Sequence, residues 1–192
     1  MRRLRRGGGL CASGNQSPDI VQRAKLGNDM GLDVWVARND RNKEINGSRF
    51  TELSKLKREL ELNFEEAANR TIERIDVLWL KANSIVAAFE IECTTSIYSG
   101  LLRMSDLLSM LPNLKIPLFI VAPDERRAKV FAEVNRPTFS RLPVPMNQTC
   151  RYIRYIALST LREQAAKIKD YVKHLKPEFL DDFAEVCEAE EV

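Results

Sequence analysis

Apolar and polar positions recur along this chain with two distinct periods, and each period predicts a different element. From Pro18 to Met30, Ile20, Val21, Ala24 and Leu26 share a rough apolar side and predict a short helix. The run from Gly31 to Ala37 is rich in β-branched and aromatic residues and predicts a strand. A polar loop heavy in Asn, Asp and Arg follows from Arg38 to Ser48. Leu53, Leu56, Leu60, Phe64 and Ala67 then recur at helical spacing, predicting a helix between Thr51 and Asn69 that breaks near Asn63. Two strands are expected at 72–80 and 85–92, joined by Lys81-Ala82-Asn83-Ser84. Thr94, Thr95 and Ser96 supply hydroxyls where the next helix should begin, and Leu101, Leu102, Met104, Leu107 and Leu108 give 97–110 a wide apolar face.

Leu118-Phe119-Ile120-Val121-Ala122 is wholly apolar, the pattern of a strand buried in a parallel sheet. Pro123 opens a helix that runs to Asn135, and the stretch 136–148, with Pro137, Pro143 and Pro145, reads as irregular. Cys150 to Ala157 alternates as a strand, and a helix is expected from Ser159 to the end, interrupted at Pro177. The order helix, strand, strand, strand, helix, strand describes a three-layer α/β domain with a mixed sheet. Three spans follow: a disordered basic tail at 1–15, the α/β domain at 16–158 and a helical extension at 159–192.

The chain has 192 residues, enough for one domain with a sizeable core. Its net charge of +3 is too mild to argue for a polyanionic partner, but Arg2, Arg3, Arg5 and Arg6 make a basic start. That start reads as a loose tail, the remnant of a longer protein, with a phosphate-binding arm as the alternative. The glycines after it are unlike the core of a signal peptide, and no apolar run approaches the roughly 20 residues needed to span a bilayer. Cys11, Cys93, Cys150 and Cys187 show no paired spacing and His174 is the sole histidine, which argues against a zinc site and for free thiols in a reducing cytoplasm. There is no Gly-x-x-x-x-Gly-Lys motif, against a nucleoside triphosphatase, and no Ser/His/Asp grouping.

Three acids stand in the otherwise apolar strand text: Asp76 in the first strand of the pair, Glu90 and Glu92 in the second. An ionised carboxylate in such a place needs a partner. Side chains alternate across a strand, so Glu90 and Glu92 share a face roughly 6–7 Å apart. A turn centred on Asn83 would pair Leu80 with Val86, Leu78 with Ala88 and Asp76 with Glu90. One face then carries Asp76, Leu78, Leu80, Val86, Ala88, Glu90 and Glu92, and the other Ile75, Val77, Trp79, Ile85, Ala87, Phe89 and Ile91. Like charges across a ladder repel, and a hard divalent cation such as Mg²⁺ would relieve that repulsion and neutralise charge at a phosphoryl centre. The alternatives are acids paired with Arg74 or Arg103 for structure alone, and a degenerate site that binds without cutting.

Asp76, thirteen residues, then Glu90-Ile91-Glu92 before a helix resembles the PD-(D/E)xK nuclease superfamily, whose restriction-endonuclease-like core has the order αβββαβ. The resemblance covers roughly residues 18–135, and the string from Glu90 to Met104 resembles uncharacterised bacterial restriction-type proteins. It implies a metal-dependent DNA endonuclease in which Asp76 and Glu90 bind Mg²⁺ or Mn²⁺. Glu92 stands where the family usually has lysine and, by the same resemblance, would position or deprotonate the attacking water. An acid from the preceding helix sometimes completes such sites, which makes Glu65, Glu66 and Glu73 candidates. Arg103 would contact the scissile phosphate, with a salt bridge to Asp106 or the acids as the alternative.

Weaker signals are cationic. Arg126 and Arg127 at a helix start, and loops with Arg38, Arg41, Arg136 and Arg141, could follow a DNA backbone or face solvent. The reading is therefore a cytoplasmic restriction-type DNA endonuclease outside the membrane, with a homodimer suggested by analogy. A non-catalytic DNA-binding or assembly module is the rival, and a small-molecule phosphohydrolase a third.

Overall fold

A computed structural model describes residues 17–42, 44–45, 48–62, 64–92, 97–111, 115–155, 167 and 171–188. The expected tail at 1–15, the hydroxyls at 94–96 and, of the helix expected from Ser159 to the end, residues 159–166, 168–170 and 189–192 lie outside the described residues. Helix α1 spans Ser17–Asp29, strand β1 Asp33–Val36 and the short helix α2 Arg38–Arg41. Strands β2 (Glu44–Ile45) and β3 (Ser48–Arg49) form a separate hairpin, so the expected polar loop carries a little structure of its own. Helix α3 covers Glu66–Ile72, followed by β4 (Val77–Lys81), β5 (Ser84–Ile91) and α4 (Ile97–Met110). Then come β6 (Leu118–Ala122), α5 (Arg127–Val134), the single turns α6 (Pro137–Ser140) and α7 (Met146–Thr149), β7 (Cys150–Arg154) and β8 (Glu185–Val186).

Six strands form one mixed sheet in the order β1-β4-β5-β6-β7-β8. β5, β6 and β7 run parallel, each joined to the next through helix, while β1, β4 and β8 pair antiparallel at the flanks. Each face of the sheet meets its own apolar cluster. On one, Ile20, Val21 and Ala24 of α1 cover Val77, Trp79, Phe89 and Phe119. On the other, Leu101, Met104 and Leu108 of α4 and Val130 and Val134 of α5 cover Leu78, Ala88, Leu118 and Ile120. This is the three-layer α/β arrangement the pattern predicts. α1 lies close on the sheet because residue 27 is glycine: a Cβ there would stand 2.4 Å from Trp79 Nε1. The same indole donates to the Arg23 carbonyl at 3.1 Å.

The helix expected over 51–69 is replaced by a 3-10 turn at Phe50–Glu52, an extended strap, and α3 only from Glu66. The sheet explains why. β1 is an edge strand whose outward amides need partners. The Val34 N–H donates to the Lys55 carbonyl and the Lys57 N–H to the Val34 carbonyl, both at 2.8 Å. A helix through 55–57 would leave both groups unpaired. Leu53, Leu56, Leu60 and Phe64 still reach the core, but from the strap.

The hairpin turn also differs from expectation. Lys81 pairs with Ser84 across a two-residue turn, with Ala82 at φ 54°. Leu80 therefore faces Ile85 rather than Val86, and a bulge opposite Trp79 absorbs Val86. Ile85 joins the Leu78 face and Val86 packs on the other, the reverse of the expected assignment. Beyond the bulge the expected register returns: Leu78 pairs with Ala88 and Val77 with Phe89. β4 starts at Val77, so Ile75 and Asp76 belong to the bend before it, and Ile75 packs on the Leu78 side.

The helix expected from Pro123 opens as a 3-10 turn, Asp124–Arg126, before α5. Beyond residue 170, the expected helix gives way to 3-10 turns at Val172–His174 and Pro177–Phe183 and to β8, which pairs with the otherwise open edge of β7. No helix among the described residues is long and apolar enough to cross a membrane.

Candidate active site

The end of the hairpin away from its turn gathers the three acids. Asp76 is fixed by backbone on both sides: its carbonyl accepts the Ala37 N–H at 3.1 Å, and its Oδ2 accepts the Ile91 N–H at 2.8 Å. Glu90 lies in β5 opposite Ile120 of β6, and the Glu92 N–H donates to the Val121 carbonyl at 2.8 Å, continuing the parallel ladder. Alternation puts Glu90 and Glu92 on one face, as expected. All three are buried, Glu90 completely.

Helix α4 closes this corner. Arg103 grips Glu90 with two parallel bonds, Nε to Oε1 at 2.8 Å and a terminal nitrogen to Oε2 at 2.5 Å. Its side chain remains 25% exposed above a Glu90 that is 0% exposed. The alternative partner Arg74 is exposed. One turn earlier, Gly100 lets the helix backbone settle on the acids. A Cβ there would lie 2.6 Å from Glu92 Oε1 and 3.2 Å from Glu90 Cβ, and Glu92 accepts a backbone hydrogen bond from Gly100.

Burial raises all three acids, and the charge of Asp76 raises both glutamates further. Burial is the main cause for Asp76, held at about 6, with the Arg103 charge and the Ile91 N–H pulling it back. Glu92 is raised to about 7 by burial and by Asp76, with Arg103 and Arg126 opposing. Glu90 is held well above the carboxylate range by burial and by Asp76, in spite of Arg103.

The sequence reading missed two participants. Asp40 of α2 is 8% exposed and its charge raises Asp76, so a fourth acid bears on the corner from the segment read as a polar loop. The acids expected to fill that role do not: Glu65 is exposed, Glu66 pairs with Arg70, and Glu73 pairs with Arg38 at 3.2 Å. Gly100 is the other, and its signal was available, since glycine inside an apolar helical run marks a close approach. Arg126 and Arg127 separate. Arg126 acts on Glu92, whereas Arg127 bonds Glu185 at 2.8 Å and stacks 4.2 Å over Phe131. Of the cationic loops, Arg41 stacks over Trp35 at 4.2 Å, and Arg136 lies over Tyr98 and pairs with Glu133. Lys81 lies at the turn, the opposite end of the hairpin, and His174 is exposed.

In kind, this donor set suits a hard divalent cation. In arrangement it is closed: among the described residues no group of three or more His, Cys, Asp or Glu is disposed to hold a metal ion. The Arg103 fork occupies both oxygens of Glu90.

The sequence profile of the type II restriction enzyme NmeDI C-terminal domain family matches residues 20–187, which include every acid and arginine of the corner. The chain belongs to that family. It is 32% identical over 173 residues to the type II restriction enzyme NmeDI of Neisseria meningitidis serogroup C, a match covering 87% of this chain and 48% of the relative. The chain thus spans about half the length of that relative. No solved structure matches it.

Proposed function

We propose that this NmeDI C-terminal-type domain is a restriction-type nuclease of the PD-(D/E)xK kind that hydrolyses DNA phosphodiesters with a divalent cation. The observation that carries the reading is the buried triad Asp76, Glu90 and Glu92 in a chain of a restriction-enzyme family. Buried carboxylates gathered in one corner are a poor device for stability, and such clusters mark functional sites. Mg²⁺ or Mn²⁺, held by Asp76 and Glu90, would supply charge neutralisation at the phosphoryl centre. Glu92, raised to about 7, is matched to taking a proton from water near neutral pH, the part that lysine plays elsewhere in the superfamily. The Gly100 N–H holds that carboxylate, and the Val121 carbonyl holds the Glu92 backbone. Arg126 adds positive charge beside it, suited to a phosphate. The reading carries with it a cytoplasmic protein acting on DNA, and a homodimer if both strands are cut.

The test is incubation with supercoiled plasmid and Mg²⁺ or Mn²⁺ beside Asp76→Ala and Glu90→Ala. Cleavage by the parent and none by the variants is expected. A second reading, a DNA-binding module with a degenerate site, draws on Glu92 in the lysine position and on the occupied Glu90. Salt-dependent DNA binding without cleavage of any DNA form would favour it.

A further inference from the structure

We propose that Arg103 is an exchangeable occupant of the acid corner, bound to Glu90 when no divalent cation is present and released to a nucleic-acid phosphate when the cation takes Glu90. The proposal rests on the nuclease reading for the anion that receives it. Its basis is geometric. Glu90 has no exposed surface, and its two oxygens are both committed to Arg103. A cation held by Asp76 and Glu90 and a guanidinium forked on Glu90 need the same oxygens, and their charges repel, so one excludes the other. Arg103 is also the partner on the solvent side: a quarter of its side chain is exposed while its acceptor is sealed beneath it. Its flexible stem allows it to leave without moving α4, whose first turns are fixed by Gly100 against Glu92 and by Leu101 and Met104 in the core.

The geometry of the fork decides where it goes. A guanidinium that pairs two parallel donors with a carboxylate pairs them equally well with a phosphodiester. Phosphate that draws Arg103 away therefore vacates Glu90 for the cation, and a cation on Glu90 frees Arg103 for phosphate. By linkage the two must strengthen each other's binding by the same factor. With Arg103 forked on Glu90, a cation is then admitted efficiently only with nucleic acid present. Loss of a positive charge beside three acids favours another cation in either case, so the DNA dependence of cation binding is what separates exchange from a purely structural ion pair.

The test is titration of the full chain with Mn²⁺, following free Mn²⁺ by electron paramagnetic resonance. Wild type, Arg103→Ala and Arg103→Lys are compared with and without mixed-sequence duplex DNA at low salt, after subtraction of Mn²⁺ held by DNA alone. Without DNA, Arg103→Ala is expected to bind Mn²⁺ at least about tenfold tighter than wild type, with Arg103→Lys between them. DNA should tighten Mn²⁺ binding in wild type and have little effect in Arg103→Ala. If Arg103→Ala unfolds without metal, Arg103→Lys carries the comparison, since it keeps the charge but loses the fork. Should both variants bind Mn²⁺ no tighter than wild type, or should DNA tighten binding in Arg103→Ala as much as in wild type, while wild type cuts plasmid, the exchange is wrong and the nuclease reading stands. Tighter binding by the variants and a DNA effect lost in Arg103→Ala, with no cleavage by any protein, support the exchange and remove hydrolysis.

Discussion

Glu90 and Glu185 each receive arginine on both carboxylate oxygens, and they differ in nearly everything else. Glu90 lies in the central strand β5 with no exposure and a single forked partner, Arg103. Glu185 lies in the edge strand β8, about a third exposed, and is shared between Arg127 and Arg154. Burial pushes Glu185 up, but the hydrogen bonds of its two arginines together outweigh it and leave it below the usual glutamate range. At Glu90 the same kind of partner loses, because complete burial and the neighbouring Asp76 hold it far above that range. A bidentate arginine therefore does not by itself stabilise a carboxylate's charge; desolvation and like-charged neighbours decide the sign. The edge pair behaves as an ordinary surface bridge. The central pair sits in a corner that folding alone would not favour.

Cleavage should divide the two most sharply. Asp76→Ala and Glu90→Ala are expected to reduce plasmid nicking to background, whereas Glu185→Ala, which touches only the edge, should leave it within about twofold. Equal losses in all three would place the chemistry elsewhere.

Stability gives the next largest contrast. In metal-free protein, Arg103→Ala is expected to cost about 3 kcal/mol by urea unfolding, the low end for a broken buried pair, since a protonated Glu90 relieves part of the penalty. Arg127→Ala should cost no more than about 1 kcal/mol. Saturating Mn²⁺ should narrow the first gap to wild type, which binds it more weakly than Arg103→Ala, and leave the second unchanged, because Arg127→Ala and wild type bind it equally and gain the same stability.

The two regions should also titrate in opposite senses. Asp76 and Glu92 are raised to about 6 and about 7, so the folded protein holds protons there that the unfolded chain has released. Their contribution is fully present below the unfolded values near pH 4 and is lost as pH rises toward 7, by roughly 3 kcal/mol for Asp76 alone. Asp76→Asn should flatten that decline in metal-free protein. Glu185 is lowered, so its contribution is present above pH 4.5 and fades as pH falls, and Glu185→Gln should soften the acid limb only. Urea midpoints measured across pH 4 to 8 would show both, and a decline unchanged in Asp76→Asn would show that other groups cause it.

How far the sequence led follows from which forces are local. The sheet and both helical layers were readable because runs such as Leu118–Ala122 and the apolar face of 97–110 state their burial directly. The pairing of Leu78 with Ala88 also came out, since two buried faces tolerate no slip. The turn did not, because Ala82 at positive φ carries no sequence signal that Asn83 would not carry better. The leucines at 53, 56 and 60 had helical spacing but were taken by the edge of β1, a demand made by a strand almost 20 residues earlier in the chain. In the corner, Glu90 and Glu92 followed from alternation, and Arg103 from the nuclease resemblance and its place on the helix after the acidic strand. Asp40 was hidden because only the β1–β4 pairing brings α2 beside Asp76.

Gly100 offers the smallest and most discriminating change. The added methyl of Gly100→Ala would meet the end of a flexible glutamate side chain, which can retreat, as well as Cβ and Cγ of Glu90 at 3.2 and 3.3 Å, which are held by the strand. Overpacking costs about 1–3 kcal/mol and alanine in a helix returns about 1, so the net loss should be near 1 kcal/mol. Cleavage should fall further than that loss implies, because the atom displaced is the Glu92 oxygen proposed to take the proton. Gly27→Ala is the control. Its methyl would meet the rigid Trp79 ring at 2.4 Å, far from the acids, and should lower stability more while sparing the rate per folded molecule. If instead Gly100→Ala loses stability and activity in proportion, α4 merely packs on this corner and does not aim it.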